Sequence, residues 1–257
     1  VIITFLGTGT SQGVPVIGCD CPVCSSEDPR DKRLRTSVMM QVNQKTIVVD
    51  TGPDFRYQML RAKVKSLDAI LLTHEHKDHI AGLDDVRAFN YRQQRAMDVY
   101  ARLRVQEALK REFYYAFSEK KYPGVPLINL HDIGESPFSI AGADIIPIEV
   151  MHHRLPVLGF RVGEFTYITD AKTIAPREME KIKGTKVLVI NALQRGHHIS
   201  HFTLDEAISF AQEIKAERTF FTHISHNMGR HIDVNKELPE GIELAYDGLT
   251  LELNHNL

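Results

Sequence analysis

The stretch Thr73-His74-Glu75-His76-Lys77-Asp78-His79 constrains this chain more than any other. It follows Ala69-Ile70-Leu71-Leu72, an apolar run with the length and character of a buried strand. Imidazole and carboxylate donors together suit zinc, manganese or iron at a hydrolytic site. His74 and His76, two positions apart, project to the same side of an extended segment. A turn after them brings Asp78 and His79 in from another direction, a geometry that serves two metals rather than one. The fold must therefore end a buried strand where other segments can converge on it.

The 257 residues are enough for one large domain or two small ones, and for a substantial core. A formal net charge of -2 gives no global nucleic-acid signature. No apolar segment approaches the roughly 18 residues needed to span a bilayer, so no membrane partner is expected. The opening run Val1-Ile2-Ile3-Thr4-Phe5-Leu6 has strand length and lacks a basic leader, so it reads as a strand rather than a signal peptide. A cytoplasmic protein is the default expectation. All three cysteines lie in Gly18-Cys19-Asp20-Cys21-Pro22-Val23-Cys24. An odd, tightly packed set is a poor disulfide framework, but three thiolates can hold a metal that needs a fourth ligand.

Along the chain, strands are expected at Ile2 to Leu6, Ser37 to Val42, Thr46 to Asp50 and Asp68 to Leu72. In the second half they are expected at Asp144 to Val150, Val157 to Val162, Phe165 to Thr169, Val187 to Ala192 and Thr219 to Thr222. Ile242 to Tyr246 and Leu249 to Leu253 close the pattern. Asp54 to Ala62, Asp84 to Phe89 and Arg102 to Phe117 have helical spacing, and Leu204, Ala207, Ile208, Ala211 and Ile214 mark one face of a helix over Thr203 to Lys215. Strand clusters and helices in both halves imply two packed sheets with helices outside. No linker separates the halves, so residues 1–257 read as a single domain, with the Cys loop at 18–24 and a helical insertion around 86–131.

Strand ends are rigid bases for ligands. Strand Ile146-Ile148-Val150 ends in Met151-His152-His153, strand Tyr167-Ile168-Thr169 in Asp170, and strand Phe220-Phe221-Thr222 in His223. Two divalent ions need about six to eight protein ligands, with one carboxylate bridging. His74, His76 and a His of the 152/153 pair can hold one ion, and Asp78, His79 and His223 the other, with Asp170 shared. His152 continues the alternating face Ile146, Ile148, Val150, which favours it over His153.

At this point the chain resembles the metallo-β-lactamase superfamily. Thr73 to His79 matches its T-H-x-H-x-D-H motif, and the later His, Asp and His elements follow in the same order. The resemblance implies an α/β fold, an αββα four-layer sandwich, with a dinuclear site along one edge of the sheets. It further implies that Asp50 supports the His loop through hydrogen bonds. Gly18 to Cys24 resembles the structural zinc loop of the cyclic phosphodiesterases of the carbon-phosphorus lyase pathway. In that group a His three residues beyond the last active-site His completes the zinc site, which implies Cys19, Cys21, Cys24 and His226 as a closed set. Ser200-His201-Phe202-Thr203 resembles the H-x-T element of tRNA 3′-processing endonucleases, implying His201 as general acid.

The expectation is thus a metal-dependent phosphoric diester hydrolase acting on a small, cyclic ribose phosphodiester. Its cofactors would be two zinc or manganese ions and one structural zinc. A hydroxide held on the metals would attack phosphorus, oriented by Asp78, and His201 would protonate the leaving oxygen. Alternatives are another hydrolase of the same fold, cutting RNA 3′ ends or a carboxylic ester or thioester, and a non-catalytic metal-dependent binding module. Nucleic acid is a less favoured partner than a small phosphodiester, because no long Gly- and Pro-rich arm is present to clamp a tRNA. A homodimer follows from the resemblance alone. Arg35 and Thr36 carry no assigned role.

Overall fold

Alternate residues of the long apolar strands serve two different cores, and this alternation builds the layers. Ile47 and Val49 enter one apolar cluster and Val48 another; Leu71 and Ile70 divide the same way, as do Val189 and Leu188, and Phe220 and Phe221. A strand apolar on both faces must be covered on both sides. The computed structural model describes residues 1–140 and 142–253, so the last four residues of the expected domain lie outside the described residues.

The first sheet has seven strands, in the spatial order Thr250–Glu252, Ile2–Gly7, Ser37–Val42, Lys45–Val49, Ala69–Leu71, Met97–Ala101 and Ile128–Asp132. Its pairings are antiparallel as far as Lys45–Val49 and parallel from there on. The second runs Thr173–Ile174, Ala143–His152, Leu155–Val162, Phe165–Tyr167, Val187–Asn191, Arg218–Thr222 and Ile242–Leu244, and Phe138–Ile140 pairs with Ala143–His152. It too changes from antiparallel to parallel, at Phe165–Tyr167. Phe5, Met40, Val49 and Leu71 meet Phe160, Tyr167, Val189 and Phe220 between the sheets. Helices Phe55–Arg61 and Leu103–Glu112 cover the outside of the first sheet, and Leu204–Ile214 covers the second. The result is the four-layer αββα sandwich.

The segment around 86–131 is not simply a helical insertion. Met97–Ala101 and Ile128–Asp132 add two parallel strands to the first sheet. The helix expected over Arg102 to Phe117 also divides, because Phe113 (φ -114°, ψ 39°) leaves helical geometry between Leu103–Glu112 and Tyr114–Phe117. Helices Pro176–Ile182 and His231–Glu237 were not expected from the sequence. Among the described residues, no helix is long and apolar enough to cross a membrane.

Parallel strands end on the same side of a sheet. Lys45–Val49 and Ala69–Leu71 end at Asp50 and at the His loop, and Arg218–Thr222 ends at His223. His223, Asp170 (past Phe165–Tyr167) and His152 (at the end of Ala143–His152) come from the second sheet. Sheet topology alone therefore gathers the candidate residues at one edge.

Candidate metal centres and their surroundings

Sharp reversals aim several of these side chains. Asp50, Asp170 and His223 have φ of 64°, 56° and 56°, in the left-handed region that non-glycine residues rarely adopt. Each turns immediately past an apolar strand, so its side chain meets the others across the edge. Asn191 holds the Asp170 reversal, accepting from the Ala171 N–H (2.7 Å) and donating to the Ala171 carbonyl (3.0 Å).

His74, His79 and Asp170 offer donor atoms within 4.8 Å of one another, as do Asp78, His79 and His223, and also His152, Asp170 and His201. The Nε2 of His79 lies 3.3 Å from both the Asp78 and Asp170 carboxylates. The Nε2 of His223 lies 3.2 Å from Asp170 and 3.6 Å from Asp78. His74 Nε2 faces His76 Nδ1 at 3.0 Å, and the His76 ring centroid is 5.2 Å from that of His152. His152 thus enters the cluster, whereas His153 sits exposed on the following turn at φ 56°. His201 Nδ1 lies 3.6 Å from Asp170, with the His152 and His223 rings at 4.5 and 4.7 Å.

The rear nitrogens are fixed. Asp50 accepts from His79 Nδ1 at 2.7 Å, from the Thr73 N–H at 2.9 Å and from the Thr73 hydroxyl at 2.9 Å. His152 Nδ1 donates to the Ser200 carbonyl at 2.9 Å. These bonds place a proton on each Nδ1 and turn each Nε2 toward the cluster. The Ser200 partner was invisible in the sequence, because a backbone carbonyl carries no residue signature. Asn191 was more accessible, as a polar residue closing an apolar strand.

Among the described residues, six buried side-chain polar atoms lack a hydrogen-bond partner, and four are His79 Nε2, His201 Nδ1 and both ring nitrogens of His223. Leaving such groups unpaired costs about 1–3 kcal/mol each. Divalent cations held by His79 Nε2 and His223 Nε2 with the intervening carboxylates would remove that cost at those two atoms. The residues therefore fit a pair of metal ions.

Charge points the same way. Burial opposes the ionised form of Asp170, yet His223 and His79 hold its carboxyl well below the usual range. Burial, with His79 close by, holds His74 neutral, the form that ligates. Burial also works against a charged His79, but Asp78, Asp50 and Asp170 outweigh it and keep a proton there. A divalent cation would satisfy the same carboxylates and displace that proton. Burial pushes His201 down to about 2, against the pull of Asp170.

The second cluster is of another kind. Cys19, Cys21 and Cys24 place Sγ 3.3, 3.5 and 3.5 Å from His226 Nδ1, with all four atoms mutually within 4.8 Å. The Cys24 N–H donates to Cys21 Sγ and holds that thiol down at about 6, while burial pushes Cys24 up to about 11. Three sulfurs and one imidazole around one point fit a tetrahedral zinc.

The Beta-lactamase superfamily domain matches residues 45–224. An octanoyltransferase from Porphyromonas gingivalis is 43% identical over 248 residues, covering 95% of this chain but 50% of that protein. A ribonuclease Z from a Nostoc species is 28% identical over 63% of the chain and 46% of its own length. The chain thus spans about half the length of these curated relatives or less. Among solved structures, a diphosphatase from the PhnP family superposes with a TM-score of 0.92 at 43% identity, covering 98% of both chains. Zinc-bound PqqB from Methylobacterium extorquens shares the fold (TM-score 0.80, 18% identity, 98% and 100% covered).

Proposed function

The chain belongs to the metallo-β-lactamase superfamily and, within it, to the PhnP family, and from that premise we propose that it is a dinuclear phosphodiesterase acting on a small, cyclic ribose phosphodiester. That it is a metal-dependent hydrolase follows from the family itself. The observation carrying the finer reading is the set of orphaned His nitrogens turned on two shared carboxylates, with His201 beside one of them. In this reading His74, His76 and His152 would hold one ion and Asp78, His79 and His223 the other, with Asp170 available to both. Cys19, Cys21, Cys24 and His226 would hold a structural zinc and so pin the N-terminal loop. Residues 1–253 act as one domain around the shared inter-sheet core.

Bound there, two divalent ions would lower the pKa of a water and neutralise phosphoryl oxygens. The protein supplies the rest. Asp78, at the edge of the cluster, orients the attacking water by accepting one of its hydrogens. Asp50 and the Ser200 carbonyl keep the His79 and His152 rings from rotating. His201 stands on the leaving-group side and donates a proton to the departing oxygen. Its burial disfavours the charged ring, and an anionic phosphodiester placed against it works in the opposite direction. Protonation of His201 is thereby linked to substrate arrival.

Hydrolysis of a diphosphate linkage is the second reading, favoured by the diphosphatase that shares 43% identity over nearly the whole chain. The test is a panel on zinc- or manganese-loaded protein: bis-(p-nitrophenyl) phosphate, a ribose cyclic phosphate, a diphosphate diester, an RNA 3′ end, a lactam and an octanoyl thioester. The phosphodiester reading predicts turnover of the first two above the rest. Cleavage of the thioester or lactam with none of the phosphoesters would end it.

A further inference from the structure

Ser200 fixes two histidines in opposite senses. Its carbonyl accepts from His152 Nδ1 at 2.9 Å, which keeps the proton on Nδ1 and the lone pair on Nε2. Its backbone N–H donates to His198 Nδ1 at 3.3 Å, and its hydroxyl lies 3.3 Å from the same nitrogen. A nitrogen that receives a backbone N–H carries no proton of its own. In the neutral ring the proton of His198 is therefore on Nε2, and the Ser200 hydroxyl donates to Nδ1 as well. An Nε2–H has no lone pair to offer a cation. His198 held this way is a hydrogen-bond donor and not a metal ligand.

That donor stands beside the catalytic cluster. The His198 ring centroid is 5.1 Å from that of His201, with the rings inclined at 42°. The His201 ring is in turn 4.5 Å from His152 and 4.7 Å from His223. His201 is buried and His198 only half-buried, so His198 borders the open side of the cluster. Among the described residues, nothing accepts from its Nε2. The adjacent His197 has no comparable hold: its ring is exposed, and among the described residues only its backbone carbonyl is bonded.

We propose that His198 is a substrate-contacting residue whose Nε2–H binds a non-bridging oxygen of the phosphoryl group, beside the leaving oxygen served by His201. The inference rests on the reading of the His/Asp cluster as a phosphoester site. In that reading the leaving oxygen already has its proton donor, and the strongest remaining acceptors of a phosphodiester are its charged oxygens. A ring fixed by two bonds needs little reorganisation to meet one of them, and a bond to a charged acceptor is stronger than one between neutral groups. His198 keeps its proton throughout and acts by stabilising charge.

Two readouts test this: calorimetry of inorganic phosphate on manganese-loaded protein, and turnover of bis-(p-nitrophenyl) phosphate beside a ribose cyclic phosphate. His198→Phe keeps a ring and removes the donor. It should weaken phosphate binding and lower kcat/KM on both esters by about ten- to a hundredfold, with metal content unchanged. His198→Ala carries the test if the Phe variant does not fold. Because p-nitrophenolate departs without a proton, His201→Gln should matter far less on that ester, whereas the loss in His198→Phe should persist. The proposal is overturned if wild type binds no phosphate, if the variant binds it equally well, or if metal is lost with the ring. It is also overturned if the effect of His198→Phe disappears on the aryl ester together with that of His201→Gln, which would make His198 a support for His201 alone. Phosphate binding that weakens in His198→Phe while wild type cleaves neither ester would uphold His198 and reject the phosphodiesterase reading.

Discussion

The Cys19–His226 cluster and the His74–His223 cluster share one short segment, since His223 and His226 are three residues apart, yet they are built on opposite principles. In the first, three sulfurs sit at nearly equal distance from one ring nitrogen, and each of Cys21 and Cys24 receives a backbone N–H. Its donors are used up among themselves, so an ion there has no open position. In the second, nitrogens and carboxylate oxygens are mixed, four buried atoms have no partner, and His201 waits at the side. In the proposed reading, one arrangement would hold the chain together and the other would hold the ions that act on substrate.

That contrast can be broken at four points. The largest effect belongs to Asp170, which touches both halves of the open cluster. Asp170→Ala should lower kcat/KM on the best phosphoester by at least about a thousandfold, while circular dichroism shows an intact fold. His201→Gln comes next: kcat should drop by about a hundred- to ten-thousandfold, with metal content unchanged. A loss of metal in this variant would make His201 a ligand instead of a proton donor.

Cys21→Ser tests the closed side. It should lower the thermal midpoint by about 5–10 °C and reduce activity only through that instability. A fall in kcat at a temperature well below the midpoint would contradict the division of labour.

The smallest effect comes from a buried network that anchors the Cys loop without any ion. Asp31 accepts from Ser26 Oγ (2.6 Å) and from the His231 N–H (2.7 Å), and Arg33 donates to His231 Nδ1 at 3.2 Å. Burial, then the charge of Arg33, pushes His231 down to about 4. The unfolded chain takes up this proton near the usual histidine value, whereas the folded chain resists it. The stabilisation is therefore complete above about pH 6.5 and is lost as the pH falls toward 4, by about 1–2 kcal/mol after allowing for solvent screening. Thermal midpoints across that range should decline more steeply in wild type than in His231→Asn. Parallel curves would remove the network from the explanation.

The sequence made the open cluster legible where the signal was local or strand-linked. Thr73 to His79 is a contiguous run, and Asp170 and His223 each close an apolar strand. The alternation Ile146, Ile148, Val150 pointed to His152, which does face His76. Other parts had no such signal. The Ser200 carbonyl that orients His152 belongs to a distant loop, joined to it only by folding. Ile128–Asp132 is a half-exposed edge strand whose pattern follows its neighbour rather than its own residues. Met97–Ala101 does alternate, with Met97, Val99 and Ala101 buried, but Asp98 and the adjacent helix obscured it.

The division into a holding centre and a working centre is tested most directly by elemental analysis after mild chelation, on wild type, Cys21→Ser and Asp170→Ala side by side. Wild type should carry about three ions per chain before chelation and one resistant zinc afterwards. The resistant zinc should vanish in Cys21→Ser and persist in Asp170→Ala. A resistant ion that survives in Cys21→Ser and disappears in Asp170→Ala would contradict it.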